Sequence, residues 1–410
     1  MGNNHYLDES VEPEVSGLYG KAIRSCGNML QYCMVVEMTW QGLEKLQVRG
    51  YKSIKDAEIR FGRVNVLIGA NGSGKSNLID LFRFMRRLAD GDLQAAVGQA
   101  GGADCLLHYG RKTTDRLSVT LWFRKDDSLL NGYACDLLPT NDDSFVFTEE
   151  RAFFHDKDQY DKPYDEWVGT GGYRETKLWE RVKDSGVVRH VANAMRSWQV
   201  YHFHDTSSSA KVKQTQDIGD NRALHADAGN LAAYLYLLHE KYSEHYRLIV
   251  DTVRLAAPFF GDFVLRPLEL NPNRIRLEWR ERGRDNVFGT HVLSDGTLRF
   301  ICLTTLLLQP TERMPQTIVL DEPELGLHPS AIALLAGMVR SASVHRQVIL
   351  ATQSVTLVNQ FSPEDVIVVE RDKDGASVFR RLDEGSITGW LEDYALGEMW
   401  EKNLIGGRPA

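Results

Sequence analysis

The sequence predicts an α/β fold in which a mixed sheet surrounds one central helix and an inserted, partly helical lobe interrupts the core. Three observations support this prediction. Residues 64–85 read as a buried strand, a glycine-rich loop and an amphipathic helix. Residues 317–321 read as a second buried strand that ends in two carboxylates. The chain has 410 residues, 43% of them hydrophobic, which is enough to bury a large core.

The glycine-rich loop at residues 69–76 fits the phosphate-binding pattern G-x-x-x-x-G-K-[ST]. Its glycines let successive backbone N–H groups wrap a β-phosphate, and the following helix N-terminus adds partial positive charge. We expect Lys75 to reach the β- and γ-phosphates and Ser76 to ligate Mg²⁺. The predicted nucleotide-binding residues are Asn71, Gly72, Ser73, Gly74, Lys75, Ser76 and Asn77.

The two carboxylates after the second strand complete the chemistry that a phosphate loop needs. Asp321, at the strand tip, is expected to hold Mg²⁺ through water. Glu322 is placed to polarise the attacking water as a general base. A solvated acidic turn is the alternative, and the phosphate loop makes it the weaker one.

A Leu-Ser-Asp-Gly-Thr segment at residues 293–297 opens the apolar helical pattern of residues 298–308. Ser294 and Gly296 at a helix N-terminus could form a second anion site. Taken by itself, the segment is better explained by Ser294 acting as an N-cap.

The order of phosphate loop, Leu-Ser-x-Gly and Asp-Glu resembles the signature of ATP-binding-cassette (ABC) ATPases. Residues 48–54 and 68–77 look like the opening of SMC, RecF and OLD-type ATPases, and residues 322–329 look like the OLD version of the acidic loop. The match runs from about residue 43 to 84 and from about residue 292 to the C-terminus. The chain thus resembles bacterial "AAA family" predicted ATPases of the ABC-type SMC/RecF/OLD-like class, without a Toprim nuclease domain.

This resemblance implies an ABC-type, RecF/SMC head-like ATPase that uses ATP and Mg²⁺. In that family the signature of one subunit, here Ser294 and Gly296, caps the γ-phosphate held by the other. An ATP-dependent homodimer is therefore expected. ABC ATPases also place a glutamine near Mg²⁺, for which Gln94 and Gln99 are the candidates; a surface-loop role is equally open for both.

One position departs from the family pattern. Residues 352–354 read Thr-Gln-Ser after the strand pattern of residues 347–351, where the family usually has Thr-His-Ser. In the family the histidine contacts the γ-phosphate. Gln353 can donate a hydrogen bond but has no titratable proton. We assign it a catalytic role, and expect the substitution to affect hydrolysis more than nucleotide binding.

The chain divides into four predicted segments. Residues 1–37 form an N-terminal extension that is either disordered or due to an upstream start, and residues 38–125 form the first part of the ATPase lobe. Residues 126–290 form an inserted mixed and helical lobe, irregular from 126 to 186, and residues 291–410 close the ATPase lobe. His202 and His204 are too few ligands for a typical metal site. An apolar stripe from Trp390 to Trp400 predicts a packing helix.

Composition restricts the partners and the location. A net charge of −8 argues against a wholly basic nucleic-acid binder. Two local groups of basic residues, at 211–213 and at 274–282, could form a nucleic-acid-binding patch, and a solvated face explains them better. Five cysteines without a C-x-x-C pair fit a reducing cytoplasm. No apolar run approaches the roughly 18 residues of a membrane helix, so no membrane partner is expected.

Three uses of such an ATPase compete. The first is a nucleotide-controlled switch in DNA repair, genome maintenance or antiviral defence, with DNA or a separately encoded effector protein as its partner. The second is an ATP-binding scaffold that holds an effector with little turnover. The third is a transporter nucleotide-binding subunit, against which Gln353 and the Glu-Leu-Gly-Leu-His-Pro segment at residues 324–329 speak.

Overall fold

Two six-stranded sheets organise the part of the chain that the structure describes. A computed structural model describes residues 41–383, 385, 389–390 and 393–408. The predicted extension at residues 1–37 lies outside these residues. The strands are β1 Gly42–Tyr51, β2 Ile54–Arg60, β3 Val64–Ile68, β4 Leu117–Arg124, β5 Leu129–Pro139, β6 Phe145–Asp156, β7 Tyr164–Gly169, β8 Gln199–Tyr201, β9 Gln216–Asp217, β10 Phe260–Val264, β11 Pro267–Leu268, β12 Asn271–Ile275, β13 Glu278–Glu281, β14 Val287–Gly289, β15 Thr317–Asp321, β16 Gln347–Ala351, β17 Val366–Arg371 and β18 Ser377–Arg381.

The helices include the predicted phosphate-loop helix and the predicted signature helix. They are α1 Lys75–Ala89, α2 Leu93–Gln99, α3 Ala103–Leu106, α4 Leu178–Arg181, α5 Gly186–Ser197, α6 Leu231–Lys241, α7 Ser243–Ala256, α8 Asp295–Leu308, α9 Pro329–Ser343, α10 Val355–Val358 and α11 Leu396–Glu401. The helical patterns predicted at residues 188–198 and 228–255 are confirmed by α5, α6 and α7. None of the described helices has both the length and the apolarity needed to cross a membrane.

The first sheet is mostly parallel, in the order β18-β17-β3-β16-β15-β8. Strands β17, β3, β16, β15 and β8 run parallel, and β18 pairs antiparallel with β17. The three central strands are buried along almost their whole length. Because helices and a second sheet cover both faces, these strands are continuous apolar runs. This explains why the strands at 64–68, 317–321 and 347–351 were predictable from sequence.

The second sheet is antiparallel, in the order β2-β1-β4-β5-β6-β7. The prediction of an irregular segment from residue 126 to 186 is wrong, because β5, β6 and β7 lie within it. Gly132 in β5 faces Phe153 in β6, and the phenyl ring occupies the space that a Cβ would need. Such a strand depends on its cross-strand partner more than on its own residues. The predicted boundary at residue 126 falls between β4 and β5, which pair along eight residues.

Helix α1 lies between the two sheets. One buried cluster joins its apolar residues to side chains of the antiparallel sheet and to Leu67, Val319 and Ile349 of the parallel sheet. Phe82 meets Trp198 edge to face, with ring centroids 4.9 Å apart. Burial on several sides fixes the axis of α1, and therefore the direction in which its N-terminus faces.

The opposite face of the parallel sheet is covered by α6, α7, α8 and α9 in a second buried cluster. Near the end of the chain, α11 covers only part of the predicted stripe. Trp400 is buried, Trp390 is 48% exposed, and Leu391 lies outside the described residues. Gly397 lets α11 approach Val355 of α10, because a Cβ there would come within 2.7 Å of the Val355 carbonyl oxygen.

Candidate functional site

Three loops that carry the predicted motifs leave the parallel sheet side by side. In the register of the sheet, Leu67 of β3 and Asp321 of β15 both pair with Ala351 of β16. The backbone N–H of Thr352 donates to Leu67 O at 3.0 Å, and that of Glu322 donates to Ala351 O at 2.9 Å. In open α/β sheets ligands bind at the carboxyl ends of the strands, which is this edge.

The phosphate loop has a backbone that favours glycine at three positions, and at two of them a side chain would also collide with its surroundings. Gly69, Gly72 and Gly74 have φ values of +153°, +77° and +119°. A Cβ at Gly69 would collide with the Val369 carbonyl, and one at Gly74 would collide with the Ser377 hydroxyl. Helix α1 then begins at Lys75, so its free N–H groups face the loop interior.

Hydroxyl groups from outside the loop hold it in place. Ser377 Oγ donates to Ser73 O at 2.6 Å and lies 2.7 Å from Ser53 Oγ. Asn77 Nδ2 donates to Ser53 Oγ at 2.6 Å. The hydroxyl of Ser73 itself is buried and has no hydrogen-bond partner among the described residues. An oxyanion in the loop would supply the missing acceptor, so the loop fits a phosphate group.

Lys75 connects the loop to the acidic edge of the sheet. Its Nζ donates to the carbonyls of Gly69, at 2.6 Å, and Ala70, at 3.1 Å. Burial lowers the pKa of the Lys75 ammonium, and the charges of Glu322, Asp321 and one further carboxylate, Glu324, act against that shift. The field of these carboxylates at Lys75 shows that the two predicted motifs face each other. Among the remaining loop residues, Asn71, Gly72 and Ser76 are exposed.

Asp321 and Glu322 differ in environment. Burial raises the pKa of Asp321, the Arg83 guanidinium opposes this, and Glu322 adds to it. A half-buried carboxylate with a like charge beside it is stabilised by a bound cation, and oxygen atoms are the ligands that Mg²⁺ prefers. Asp321 and the Ser76 hydroxyl therefore fit such an ion. Glu322 has φ +44°, a left-handed backbone that costs a non-glycine residue on the order of 1 kcal/mol.

Gln353 reaches the predicted base directly. Its Nε2 donates to Glu322 Oε1, and its backbone N–H donates to Glu324 Oε1 at 3.3 Å. Thr352 Oγ1 donates to the same Glu324 oxygen at 2.5 Å. Burial raises the pKa of Glu324, and its Oε2 is buried without a partner in the described part of the chain. Glu324 was missed in the sequence, where the only signal was a third carboxylate two positions after Glu322.

The histidines that follow β8 also lie at this edge. Because β8 pairs with β15 so that Tyr201 is opposite Leu320, the chain after β8 runs beside Asp321. His204 Nε2 lies 3.0 Å from the Asp321 carbonyl oxygen, and since a carbonyl only accepts, this nitrogen carries the proton. Burial lowers the pKa of His202. Across the described residues, no group of three or more His, Cys, Asp or Glu is arranged to hold a metal ion.

The two glutamines considered for the metal site are bonded elsewhere. Gln94 Nε2 donates to the carbonyls of Phe145, at 3.2 Å, and Arg174, at 2.6 Å. Gln99 accepts from Arg87 Nη1 at 2.6 Å. Gln94 is thus bonded next to the antiparallel sheet and Gln99 to the last turn of α1, while His204 is the side chain beside Asp321.

The signature segment begins α8 beside the loop that follows the carboxylates. Ser294 caps α8 by accepting from the Thr297 N–H at 3.2 Å, and it is exposed. At Gly296 a Cβ would collide with the Gly326 carbonyl, so α8 begins against the loop that follows the carboxylates. Arg299 strengthens this contact by donating to Leu325 O at 3.0 Å. In the described residues no hydrogen bond links Ser294 or Gly296 to residues 69–77.

Comparisons with known proteins identify the family of the domain and its fold. Residues 42–256 match the family model described as "AAA ATPase domain", and residues 192–359 match one described as "AAA domain, putative AbiEii toxin, Type IV TA system". A solved SMC head bound to the C-terminal winged-helix domain of ScpA is 16% identical, with a TM-score of 0.56, covering 84% of this chain and 99% of that one. This likeness confirms the predicted SMC head-like α/β fold.

A curated relative covers a shorter stretch. The chromosome partition protein Smc of Halothermothrix orenii is 34% identical over 95 residues, which is 22% of this chain and 8% of that protein. The chain thus matches well under two thirds of that relative's length.

Proposed function

Because this chain belongs to the AAA ATPase domain family, we propose that it binds Mg²⁺–ATP and hydrolyses it where residues 69–77 face Asp321 and Glu322. The observation that supports this most is that Lys75, buried in the phosphate loop after β3, lies at the same sheet edge as Asp321, Glu322 and Glu324, at and after the end of β15. When bound, Mg²⁺ neutralises charge on the β- and γ-phosphate oxygens, and Ser76 and Asp321 would hold it.

Each side chain then has a distinct task. The loop N–H groups bind the phosphates, and Lys75 exchanges the carbonyls of Gly69 and Ala70 for phosphate oxygens. Glu322 orients the attacking water and accepts its proton. Gln353 holds the Glu322 carboxylate through its amide, which fixes the direction of the base.

The exposed signature supports an ATP-dependent homodimer. Ser294 and Gly296 lie at an exposed helix start, so we propose that they cap the nucleotide held by a second copy. A two-fold pairing of this kind gives two composite sites. Mixing Lys75→Ala and Ser294→Arg subunits leaves one intact composite site in each heterodimer. Random mixing should therefore restore about a quarter of the parent rate, since half of the dimers are mixed. No recovery at any ratio would contradict shared sites.

The closed dimer would act as a switch for a partner. The SMC head to which this chain is similar was solved with a domain of another protein, ScpA. By analogy we propose that this chain presents DNA or a separately encoded effector with a surface that depends on ATP, in DNA repair or antiviral defence. A preference of the partner for one state by about 1–3 kcal/mol is sufficient. Pull-down and DNA-binding assays on Glu322→Gln with ATP and on the apo protein should differ; identical results would contradict the switch.

An ATP-binding scaffold with little turnover is the second candidate. The bond from Gln353 to Glu322 favours it, because an amide occupies the base without supplying a titratable proton.

Phosphate release and ATP affinity of the parent and of Glu322→Gln test the main proposal, with the exposed Glu364→Gln as a matched control. We expect Glu322→Gln to keep binding and to lose turnover. Parent-like turnover in Glu322→Gln would rule out Glu322 as the base, and binding without turnover in the parent would favour the scaffold.

A further inference from the structure

A cleft of about 480 Å³ opens directly beside the phosphate loop. Two of its wall residues, Asn77 and Arg371, connect it to the loop. Asn77 follows Ser76 in α1, and Arg371 Nε donates to Gly72 O at 2.8 Å. A ligand whose phosphates lie in the loop can therefore extend into this cleft. Its volume lies in the usual range for small-molecule sites, about 300–1,000 Å³.

Tyr109 stands on one wall of the cleft in an unusual conformation. Its φ is +57°, in the left-handed region that a residue with a Cβ rarely adopts. Its side chain is nevertheless 63% exposed. Tyr109 lies in a turn closed by the Gly110 N–H, which donates to Leu107 O at 3.2 Å, and this turn leaves most of the aromatic ring open to solvent. Backbone strain of this kind clusters at ligand sites.

The surroundings of Tyr109 hold the ring across the cleft. On one side, the His108 N–H donates to Gly50 O at 3.1 Å, and His108 Nδ1 donates to Lys52 O at 2.7 Å. The Tyr109 ring packs on His108 with centroids 4.4 Å apart. On the other side, the Tyr109 hydroxyl donates to Asp374 O at 3.4 Å. The ring is thus positioned by the β1–β2 turn and by the β17–β18 turn together.

We propose that Tyr109 is the platform on which the base of the bound nucleoside triphosphate stacks. Arg371 and Lys52 line the same cleft, and the Lys52 ammonium is paired there with Asp80 at 2.9 Å. Every nucleobase has a π-face that can stack on an aromatic ring. Stacking on Tyr109 therefore favours nucleotides over bare phosphates and does not discriminate among the bases. This inference rests on the proposed function, because it assumes that a triphosphate occupies the loop.

Titration of the full chain with two ligands distinguishes the contribution of the base to affinity from that of the phosphates. Calorimetric titration with Mg²⁺–ATP and with inorganic tripolyphosphate should be run on the parent, Tyr109→Ala and Tyr109→Phe. Tyr164→Ala is the control, since this tyrosine is 73% exposed on the edge strand β7. Tyr109→Ala should bind ATP about 5- to 150-fold more weakly and tripolyphosphate unchanged. Tyr109→Phe keeps the ring and should resemble the parent, as should Tyr164→Ala.

The Tyr109→Gly variant tests whether a folding defect explains the weak ATP binding expected of Tyr109→Ala. Glycine accepts the left-handed backbone without strain, so this variant should melt no lower than Tyr109→Ala and still bind ATP weakly. Parent-like ATP affinity in Tyr109→Ala, or an equal loss of both ligands, would overturn the inference alone. If the parent binds ATP but not tripolyphosphate, weaker ATP binding by Tyr109→Ala than by Tyr109→Phe would support the inference. Equal ATP affinities of these two variants would overturn it. A parent that binds neither ligand would overturn the proposed function, and this inference with it.

Discussion

Two carboxylates in different regions of the molecule, the buried Glu150 and the half-buried Glu324, have opposite surroundings. Glu150, in the antiparallel sheet, accepts from Tyr133 Oη at 2.8 Å, Tyr173 Oη at 3.1 Å, the Lys177 N–H at 3.0 Å and the Thr176 hydroxyl. Both of its oxygens are therefore satisfied. Glu324, at the edge of the parallel sheet, uses one oxygen and leaves the other buried and unpaired.

The difference distinguishes polar groups that are fully hydrogen-bonded within the protein from polar groups that remain available to a ligand. A saturated network rigidifies the sheet and offers nothing to a ligand. The site edge carries unmet or strained groups, namely the Ser73 hydroxyl, the Glu324 Oε2 and the left-handed Glu322. A bound phosphate can accept from the Ser73 hydroxyl, whereas the Glu324 oxygen needs a donor or a cation. Substitutions in the two regions should therefore change different quantities.

The largest effect should come from Lys75→Ala. Losing a buried cation that binds phosphate oxygens should weaken Mg²⁺–ATP binding by about 100-fold or more. The melting temperature should change little, because Lys75 bonds only to the carbonyls of its own loop. Calorimetric titration and thermal melting would measure both, with the exposed Lys183→Ala as control. Parent-like affinity in Lys75→Ala would contradict the loop assignment.

Glu150→Ala should show the reverse pattern. It leaves four donors without an acceptor, one of them the fully buried Tyr133 hydroxyl, so the free energy of unfolding should fall by about 3 kcal/mol. ATP affinity below the melting transition should stay at the parent value. Urea unfolding measures the free energy of unfolding, and nucleotide titration measures the ATP affinity. A large loss of affinity with intact stability would remove the distinction between the regions.

Substitution of Glu324 should have a smaller effect on catalysis, which changes kcat and leaves ATP affinity unchanged. Glu324→Ala removes the acceptor for Thr352 and Gln353, which loosens the amide that holds Glu322, and kcat should fall about tenfold. Glu324→Gln keeps an oxygen in the same position and should retain most of kcat. ATP affinity should not move in either variant. Equal rates in all three proteins would show that Glu324 does not position the base.

Sequence patterns predicted the parts of the molecule whose cause is local. The phosphate loop requires glycine at fixed φ values, and the central strands are apolar runs because both faces are covered. The strands β5, β6 and β7 escaped prediction because their pairing compensates for residues such as Gly132. His204 and Glu324 escaped because their roles arise from partners more than 25 residues away in sequence, at Asp321 and Thr352.

The smallest expected effect is on the pH dependence of stability. Burial raises the pKa of Glu324 above its value in the unfolded chain. The contribution of Glu324 to the free energy of unfolding is therefore fully present below its pKa in the unfolded chain. This contribution is lost as pH rises through its pKa in the folded protein. Glutamine has the same shape and never ionises. The melting temperature of Glu324→Gln minus that of the parent should thus be near zero around pH 4 and rise by about 1–3 °C toward pH 8. The same difference for the exposed Glu364→Gln should stay flat, and a variant that loses stability relative to the parent as pH rises would show that Glu324 gains more from its charge than burial costs.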